Sequence, residues 1–137
     1  MHTTNYTNTF IEVADDCPVR KAELPPKKTD KVTIANMHFD MIYEHPYHYT
    51  SDEVIFNTHA VRNDIPKGEW KEARQEFFSK GQACMRSSPL GKRYGWGIHH
   101  DEKSRVALYP MESPDYKKLT KDKSIEHVKA MRSKKTS

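Results

Sequence analysis

Two runs of β-forming residues near the C-terminus, RYGWGIHH at 93–100 and RVALYP at 105–110, are separated only by the polar segment DEKS. This arrangement is typical of a β-hairpin. Further strands are predicted at 8–14, where NTFIEVA alternates, and at 124–131, SIEHVKAM. Strands at both ends of the chain, a late hairpin and helices between them predict an α+β domain with an antiparallel sheet.

The middle of the chain shows helical spacing. The first predicted helix runs from Thr33 to near Glu44, because Pro46 disfavours helical geometry at the residue before it. Its buried stripe comprises Ile34, Met37, His38, Met41 and Ile42. The sequence TSDE at 50–53 is a capping box that opens a second helix to about Arg62. A strand is the alternative there, because VIFNTHAVR is rich in β-branched residues.

A third helix is predicted at about 66–80, with Pro66 in its first turn and Gly81 as a left-handed C-terminal stop. Trp70 and Arg74 lie one turn apart in it, a spacing that permits stacking. The side of this helix that is predicted to be buried comprises Trp70, Ala73, Arg74, Phe77 and Phe78.

A short last helix is predicted to run from a Ser113 cap to about Thr120, with Pro114 in its first turn. We therefore expect a single domain at 1–131, an antiparallel sheet packed by about three helices plus a short one. Residues 132–137 are expected to form a basic, flexible tail. The predicted core comprises Phe10, Ile34, Met37, Met41, Phe56, Trp70, Phe77, Phe78, Trp96, Ile98, Val106 and Leu108.

The net charge of +4 is misleading, because the positive charge is concentrated at the C-terminus. Residues 117–137 hold eight Lys or Arg residues against two acidic ones, whereas the preceding 116 residues hold 15 basic and 17 acidic groups. The body of the domain is thus slightly acidic, and a basic terminus is usually a solvated end. This distribution argues against nucleic acid as a partner.

No apolar run approaches the roughly 20 residues that a bilayer span needs, and no signal-peptide pattern is present at the N-terminus. The two cysteines, Cys17 and Cys84, are far apart and form no CxxC arrangement. We therefore expect no membrane partner, and a cytoplasmic protein with reduced thiols.

The loop RSSPLGKR at 86–93 is rich in groups that hold carboxylate or phosphate through charge-assisted hydrogen bonds. It is not a P-loop, because Gly91 and Lys92 are followed by Arg93 and no glycine lies five positions earlier. The alternative is a solvated basic loop. The candidate anion-binding residues are Arg86, Ser87, Ser88, Lys92 and Arg93, together with His99 on the following strand.

Alternation along the first hairpin strand places Gly95 and Gly97 on the same face as Arg93 and His99. The opposite face, anchored by Trp96, is predicted to be core. Glycine inside a strand often marks the close approach of another group. One interpretation is that a ligand lies against these glycines. The other, which we favour, is structural: a packed helix or a β-bulge.

Cys84, His99 and His100 are the candidates for catalysis. Arg86 lies close enough in sequence to lower the pKa of the Cys84 thiol, and a histidine is the natural base. Position 90 is leucine, so the cysteine–arginine phosphate cradle of tyrosine phosphatases is absent. An inert thiol is therefore the favoured interpretation.

We expect no metal site and no cofactor. Adjacent strand residues point to opposite faces, so His99 and His100 cannot chelate one ion together. His45 and His48 lack the glutamate of an HExxH motif. His38, on an apolar helical stripe, is interpreted as a hydrogen-bonded core histidine.

Four segments make the chain similar to a small bacterial family that is catalogued only as a domain of unknown function. They are NYTNTFIEVADDCP, YTSDEVIF, RSSPLGKRYGWGIHHDEKSRVALYP and VKAMRSKK. The resemblance covers nearly the whole chain and implies one bacterial, cytoplasmic domain. It transfers no catalytic residue.

The sequence favours a small non-catalytic binding or interaction domain with an anion-binding surface in the region Arg86–His99. The alternative is a small enzyme that acts on an anionic metabolite, with a histidine as general base and arginines as the anchor. A third interpretation is weak nucleic-acid binding through the basic C-terminus, with Tyr94 or Trp96 stacking on bases.

Overall fold

The computed structural model describes residues 1–133, in which a four-stranded sheet lies between helices on both of its faces. The strands are β1 (Thr9–Glu12), β2 (Trp96–His100), β3 (Val106–Pro110) and β4 (Glu126–Lys129). The helices are α1 (Ile34–Tyr43), α2 (Ser51–Arg62), α3 (Trp70–Phe77), α4 (Pro89–Lys92) and α5 (Pro114–Lys121). Short 3-10 turns at Lys67–Glu69 and Met85–Ser87 precede α3 and α4. The α+β prediction is confirmed.

The strand order is β3-β2-β1-β4, and the predicted hairpin is the β2–β3 pair. β2 runs antiparallel to both of its neighbours, but β4 pairs with β1 in parallel. The prediction of a purely antiparallel sheet is therefore wrong at β4. The reason is the connection: β3 and β4 run in the same direction at opposite edges, so the chain between them must cross a face of the sheet, and α5 makes that crossing.

The two faces of the sheet pack against different helices. Ile11 and Ile98 face α1 and α2 in the main apolar cluster, so the core face predicted for the hairpin is confirmed. The other face is covered by α5, where the Phe10 and Tyr116 rings pack edge to face with centroids 5.1 Å apart. A methyl group added at Gly97 would lie 2.6 Å from the Tyr116 ring. Packed side chains, and not a ligand, therefore fill the space beside this glycine.

The second helix is confirmed as a helix, and the strand alternative is wrong. The Thr50 hydroxyl accepts from the Glu53 amide at 3.2 Å, and the Glu53 carboxylate accepts from the Thr50 amide at 3.0 Å. This reciprocal pair is the predicted capping box, and it satisfies amides that the first helical turn leaves unpaired. The helix after Ser113 is also confirmed, with the Ser113 hydroxyl capping Tyr116.

The third helix is shorter than predicted. α3 ends at Phe77, where the Phe78 amide closes the last turn on the Arg74 and Glu76 carbonyls. The predicted stop at Gly81 is wrong, because the helix ends before reaching it and Gly81 is not in the left-handed region. Arg74 lies over the Phe78 ring at 5.5 Å and not over Trp70.

The Trp70 indole is held elsewhere, since its Nε1 donates to the Ile65 carbonyl at 2.8 Å and its ring packs edge to face on Phe56. Trp70 is consequently half-buried in a second apolar cluster, between α2 and α3. Of the predicted stripe on this helix, Phe78 is fully buried, while Arg74 is exposed.

Half of the predicted core residues are buried, and most of the others are half-buried. The exception is Ile34, whose side chain is 39% exposed. α1 is rotated relative to the predicted stripe, so that Ala35, His38 and Ile42 form its buried side. The fully or nearly fully buried members of the predicted core are Phe10, Phe56, Phe78, Trp96, Ile98 and Val106.

The C-terminal segment after β4 continues parallel to the residues that follow β1, and the Ser133 amide donates to the Asp16 carboxylate at 3.0 Å. Residues 134–137, which make up most of the predicted flexible tail, lie outside the described residues. Within residues 1–133, no helix is long and apolar enough to span a bilayer.

Candidate anion-binding site

A hollow of about 350 Å³ lies where the loop before α1, the C-terminal end of α2 and the end of α4 meet. We call it the basic hollow, because five cationic side chains line it. They are Lys28 and Lys31 from the loop, Arg62 from α2, and Lys92 and Arg93 from the end of α4. Thr33, Ile34, Ala35, Pro26, Pro89 and Tyr94 complete its wall.

The positive charge of the basic hollow is not neutralised from within the part of the chain that is described. Across residues 1–133, none of the five cationic side chains forms an ion pair or a side-chain hydrogen bond, and no acidic side chain lines the hollow. Like charges that share a concave surface raise one another's energy and focus a positive potential at its opening. A bound anion relieves that repulsion through charge-assisted hydrogen bonds.

Capping interactions hold the two sides of the basic hollow in place. The Thr33 hydroxyl accepts from the Asn36 amide, and the Asn36 side chain donates to the Pro25 carbonyl at 3.2 Å. These bonds fix the loop that carries Lys28 against the start of α1. On the opposite side, the Ser88 hydroxyl caps α4 and so directs Lys92 towards the same space.

A second hollow, of about 280 Å³, adjoins the first, since Ile34, Arg62 and Pro89 line both. We call it the apolar hollow, because apolar atoms, including those of Ile55 and Phe77, provide most of its surface. The remaining lining residues are His38, Thr58, His59, Asn63, Gln82, Ala83, Cys84, Ser87 and Ser88.

A serine–histidine contact forms part of the wall of the apolar hollow. His38 Nδ1 lies 2.9 Å from Ser88 Oγ, and both residues are buried. Burial lowers the pKa of His38 to about 4, so the imidazole is neutral at pH 7. The interpretation of His38 as a hydrogen-bonded core histidine is confirmed.

Cys84 lies in the same wall, with its Sγ 3.2 Å from the Tyr6 hydroxyl. Burial, reinforced by this contact, raises the pKa of Tyr6 to about 12, so the phenol stays protonated. Cys84 and Cys17 are both free thiols. The thiol thus faces a neutral hydroxyl and not a base.

The residues of the 86–93 loop that were predicted to bind an anion lie in three separate places. Lys92 and Arg93 line the basic hollow, while Ser87 and Ser88 line the apolar hollow. Arg86 lies elsewhere: its Nε donates to the Lys129 carbonyl at the end of β4, at 2.7 Å.

The predicted histidines lie on the two faces of β2. His99 Nδ1 is 2.8 Å from the Tyr47 hydroxyl, which in turn lies 2.6 Å from the hydroxyl of Tyr109. Burial lowers the pKa of His99 and raises that of Tyr47. His100 points into the core, where it has no exposed surface. Neither histidine lines the basic hollow or the apolar hollow.

Three of the five cationic residues of the basic hollow, Lys28, Lys31 and Arg62, were not predicted from the sequence. Two of them belong to the loop RKAELPPKKTDK, which has the composition of an ordinary solvated loop. The third is the last residue of a helix. The only available signal was the density of lysine just before a helix start, and it does not indicate which other segment lies opposite.

Potential metal ligands do not converge in the described part of the chain. Within residues 1–133, no group of three or more His, Cys, Asp or Glu side chains is placed to hold an ion. The two histidines of the HPYH segment, His45 and His48, lie with their ring centroids 5.9 Å apart.

The fold and the two hollows define an α+β domain with a four-stranded mixed sheet and a basic concave surface formed by α1, α2, α4 and the loop before α1. The chain belongs to the Family of unknown function (DUF6157), whose model matches residues 1–136. The predicted resemblance to a domain of unknown function is thereby confirmed. No curated protein and no solved structure matches the chain.

Proposed function

We propose that the chain is a small non-catalytic binding domain, and that the basic hollow holds a small, multiply charged anion. The observation that carries this proposal is the convergence of five cationic side chains without ion-pair partners among residues 1–133. Two or three of them suffice to hold a phosphate or a dicarboxylate through charge-assisted hydrogen bonds.

This proposal moves the anion site from the region Arg86–His99 towards the N-terminal loop. Lys92 and Arg93 remain in it, and Lys28, Lys31 and Arg62 replace Arg86 and His99. The concave shape supports a small ligand, because the five charges surround one space and do not form an extended stripe.

The test is a thermal shift titration with phosphate, sulfate and citrate, compared with sodium chloride at equal ionic strength. A ligand present at a hundredfold excess over its Kd should stabilise the fold by about 2.7 kcal/mol. We expect the anions to raise the melting temperature of the wild type, and we expect this increase to be lost in Lys92→Gln/Arg93→Gln.

The matched control for charge removal is Lys117→Gln/Lys118→Gln on the exposed side of α5. It removes the same number of charges away from the basic hollow, so it should keep the anion-dependent shift. The proposal is rejected if the anions raise the melting temperature of the two double variants equally. It is also rejected if they raise that of the wild type no more than sodium chloride does.

A second candidate function is hydrolysis of an anionic ester, and the contact between His38 and Ser88 favours it. His38 Nδ1 is placed to take the Ser88 proton as Oγ attacks the ester. The proton then passes to the leaving alcohol, and water releases the acid from the serine. His38 is neutral at pH 7 and can therefore accept a proton, but its pKa of about 4 makes it a weaker base than a histidine with the ordinary value.

The hydrolysis is measured as naphthol fluorescence released from 2-naphthyl phosphate and 2-naphthyl acetate. We expect turnover by the wild type to be lost in Ser88→Ala and retained in Ser87→Ala. Ser87 lines the same hollow, but its hydroxyl donates to the Cys84 carbonyl and does not contact His38. Absence of turnover by the wild type would reject hydrolysis, and anion binding would be the one proposed function that remains.

We place the chain in the cytoplasm of a bacterium. The support is the bacterial family that the sequence resembles and the presence of two free thiols, which suit a reducing compartment. Fractionation of cells that express the chain from its own gene should recover it with cytoplasmic markers, and recovery with an extracytoplasmic fraction would contradict this placement.

A further inference from the structure

We propose that the anion is the head of an organic ligand whose aromatic or aliphatic body enters the apolar hollow. The ligand class is that of organic phosphates or phosphonates with an apolar substituent. This inference rests on the proposed anion-binding function of the basic hollow and extends it to the neighbouring hollow.

The two hollows form one continuous concave surface. Ile34, Arg62 and Pro89 belong to both walls, so a ligand held at Arg62 lies at the entrance to the apolar hollow. Ile34 is 39% exposed at this junction. A ligand body that covers Ile34 removes apolar surface from water, which is favourable in proportion to the area buried.

The far wall of the apolar hollow is aromatic. The His59 and Phe77 rings lie with centroids 4.5 Å apart and a tilt of 34° between their planes. Both rings line the hollow. Aromatic surfaces of this kind favour an aromatic ligand group in an offset or edge-to-face arrangement.

Apart from Arg62 at its entrance, several polar side chains of the apolar hollow already donate hydrogen bonds within the protein. The Thr58 hydroxyl donates to the Val54 carbonyl, the Ser87 hydroxyl to the Cys84 carbonyl and the Gln82 amide to the Phe77 carbonyl, each at 2.8 Å. A ligand body therefore finds few free donors here. This favours an apolar body over a sugar or a base with many hydrogen-bonding edges.

The volume of the apolar hollow agrees with a body of one or two rings. An apolar cavity of about 150 Å³ is large enough to bind benzene. The apolar hollow measures about 280 Å³ and is open towards the basic hollow.

The experiment compares benzylphosphonate with methylphosphonate by isothermal titration calorimetry. The two ligands carry the same charged head and differ by a phenyl ring, and their P–C bonds are not hydrolysed. Covering the ring in the apolar hollow should make benzylphosphonate bind roughly tenfold tighter. Phe77→Leu and Ile55→Gln change residues that line the apolar hollow and not the basic hollow. Both should remove most of that difference and leave the affinity for methylphosphonate unchanged.

The control variant is Val61→Gln, because Val61 is exposed on α2 and lines neither hollow. It should behave as the wild type with both phosphonates. Thermal unfolding of all three variants confirms that each is folded at the titration temperature.

Cys84 provides an independent readout because it lies in the wall of the apolar hollow. Alkylation by iodoacetamide, followed by peptide mass spectrometry, resolves Cys84 from Cys17. Benzylphosphonate should slow alkylation of Cys84 and leave Cys17 unchanged, whereas methylphosphonate should slow neither.

The outcomes separate the two proposals. If methylphosphonate binds and benzylphosphonate binds no tighter, the anion site stands and the apolar extension is overturned. If neither phosphonate binds, both proposals fail. Tighter binding of benzylphosphonate without protection of Cys84 would place the ring elsewhere and would also overturn the extension.

Discussion

His100 is a polar residue buried in the core. Its side chain has no exposed surface, and neither ring nitrogen has a hydrogen-bond partner within residues 1–133. The Ile98 and Thr9 carbonyls lie beside the ring and oppose the fall in its pKa, but neither is at hydrogen-bonding geometry. Burial dominates and lowers the pKa of His100 to about 4. An unpaired polar group in a core lowers the stability of the fold.

Replacing His100 with leucine should therefore leave the fold equally stable or more stable at pH 7, by up to ~1–2 kcal/mol, since no buried nitrogen is then left unpaired. The measurement is the free energy of unfolding in urea. His38→Leu is the matched control, and it should destabilise the fold because it breaks the contact with Ser88. A large loss of stability in His100→Leu would show that the ring is hydrogen-bonded.

The pH dependence of the same variant follows from the direction of the pKa shift. The folded-state pKa of His100 lies at about 4, below its ordinary value of 6.5, so the unfolded chain binds more protons between these values. Above pH 6.5 the ring is neutral in both the folded and the unfolded chain. As the pH falls from 6.5 towards 4, the titration of His100 lowers the free energy of unfolding by roughly 3 kcal/mol. The wild type should lose more stability than His100→Leu between pH 7 and pH 5.

At the scale of elements, the position of α5 depends on the absence of a side chain in the strand that it covers. Gly97 lies on β2 beneath the rings of Phe10 and Tyr116. Both rings are buried and have little space into which to move. The glycine is therefore needed for the close approach between helix and sheet, and not for an unusual backbone conformation.

Gly97→Ala should destabilise the fold by ~1–3 kcal/mol, because the added methyl group overlaps packed rings. Gly68→Ala is the control: nothing lies within 4 Å of its added methyl group, and its φ is not positive. It should change stability by less than ~0.5 kcal/mol. Both values come from urea unfolding at one pH. Similar effects of the two substitutions would contradict the packing that we describe for α5.

Elements with a strong local signal were predicted correctly from the sequence. The capping box at Thr50, the Ser113 cap and the hairpin each depend on residues close together in the chain. The errors concern properties set by distant contacts. α1 buries Ala35 and leaves Ile34 exposed, which depends on the elements packed against it. β4 is parallel to β1 because the chain crosses the sheet through α5.

At the scale of the whole molecule, the candidate site was only partly predictable. Lys92 and Arg93 were predicted from the composition of a single loop. Lys28, Lys31 and Arg62 lie 30 or more residues away in the sequence, and only the fold brings them to the same hollow. Periodicity and capping rules describe neighbours along the chain, so they carry no information about such convergence.

The distribution of charge in the folded molecule also differs from its distribution along the sequence. The sequence places all of the excess positive charge in the last 21 residues, because the rest of the chain is slightly acidic. The basic hollow nevertheless draws all five of its cationic residues from that acidic remainder. A local concentration of one sign therefore exists within a nearly neutral body, and net charge alone does not reveal it.

The strand order has a consequence for how the chain is made. β1 is synthesised before the other three strands of the sheet, yet both of its partners, β2 and β4, belong to the C-terminal third of this chain. During synthesis, the backbone groups of Thr9–Glu12 therefore cannot form their sheet hydrogen bonds until residues 96–129 have been made. Such distant pairing makes folding slow and leaves an unpaired apolar strand exposed to other nascent chains. The sheet can therefore form only after the C-terminal third of this chain has been synthesised.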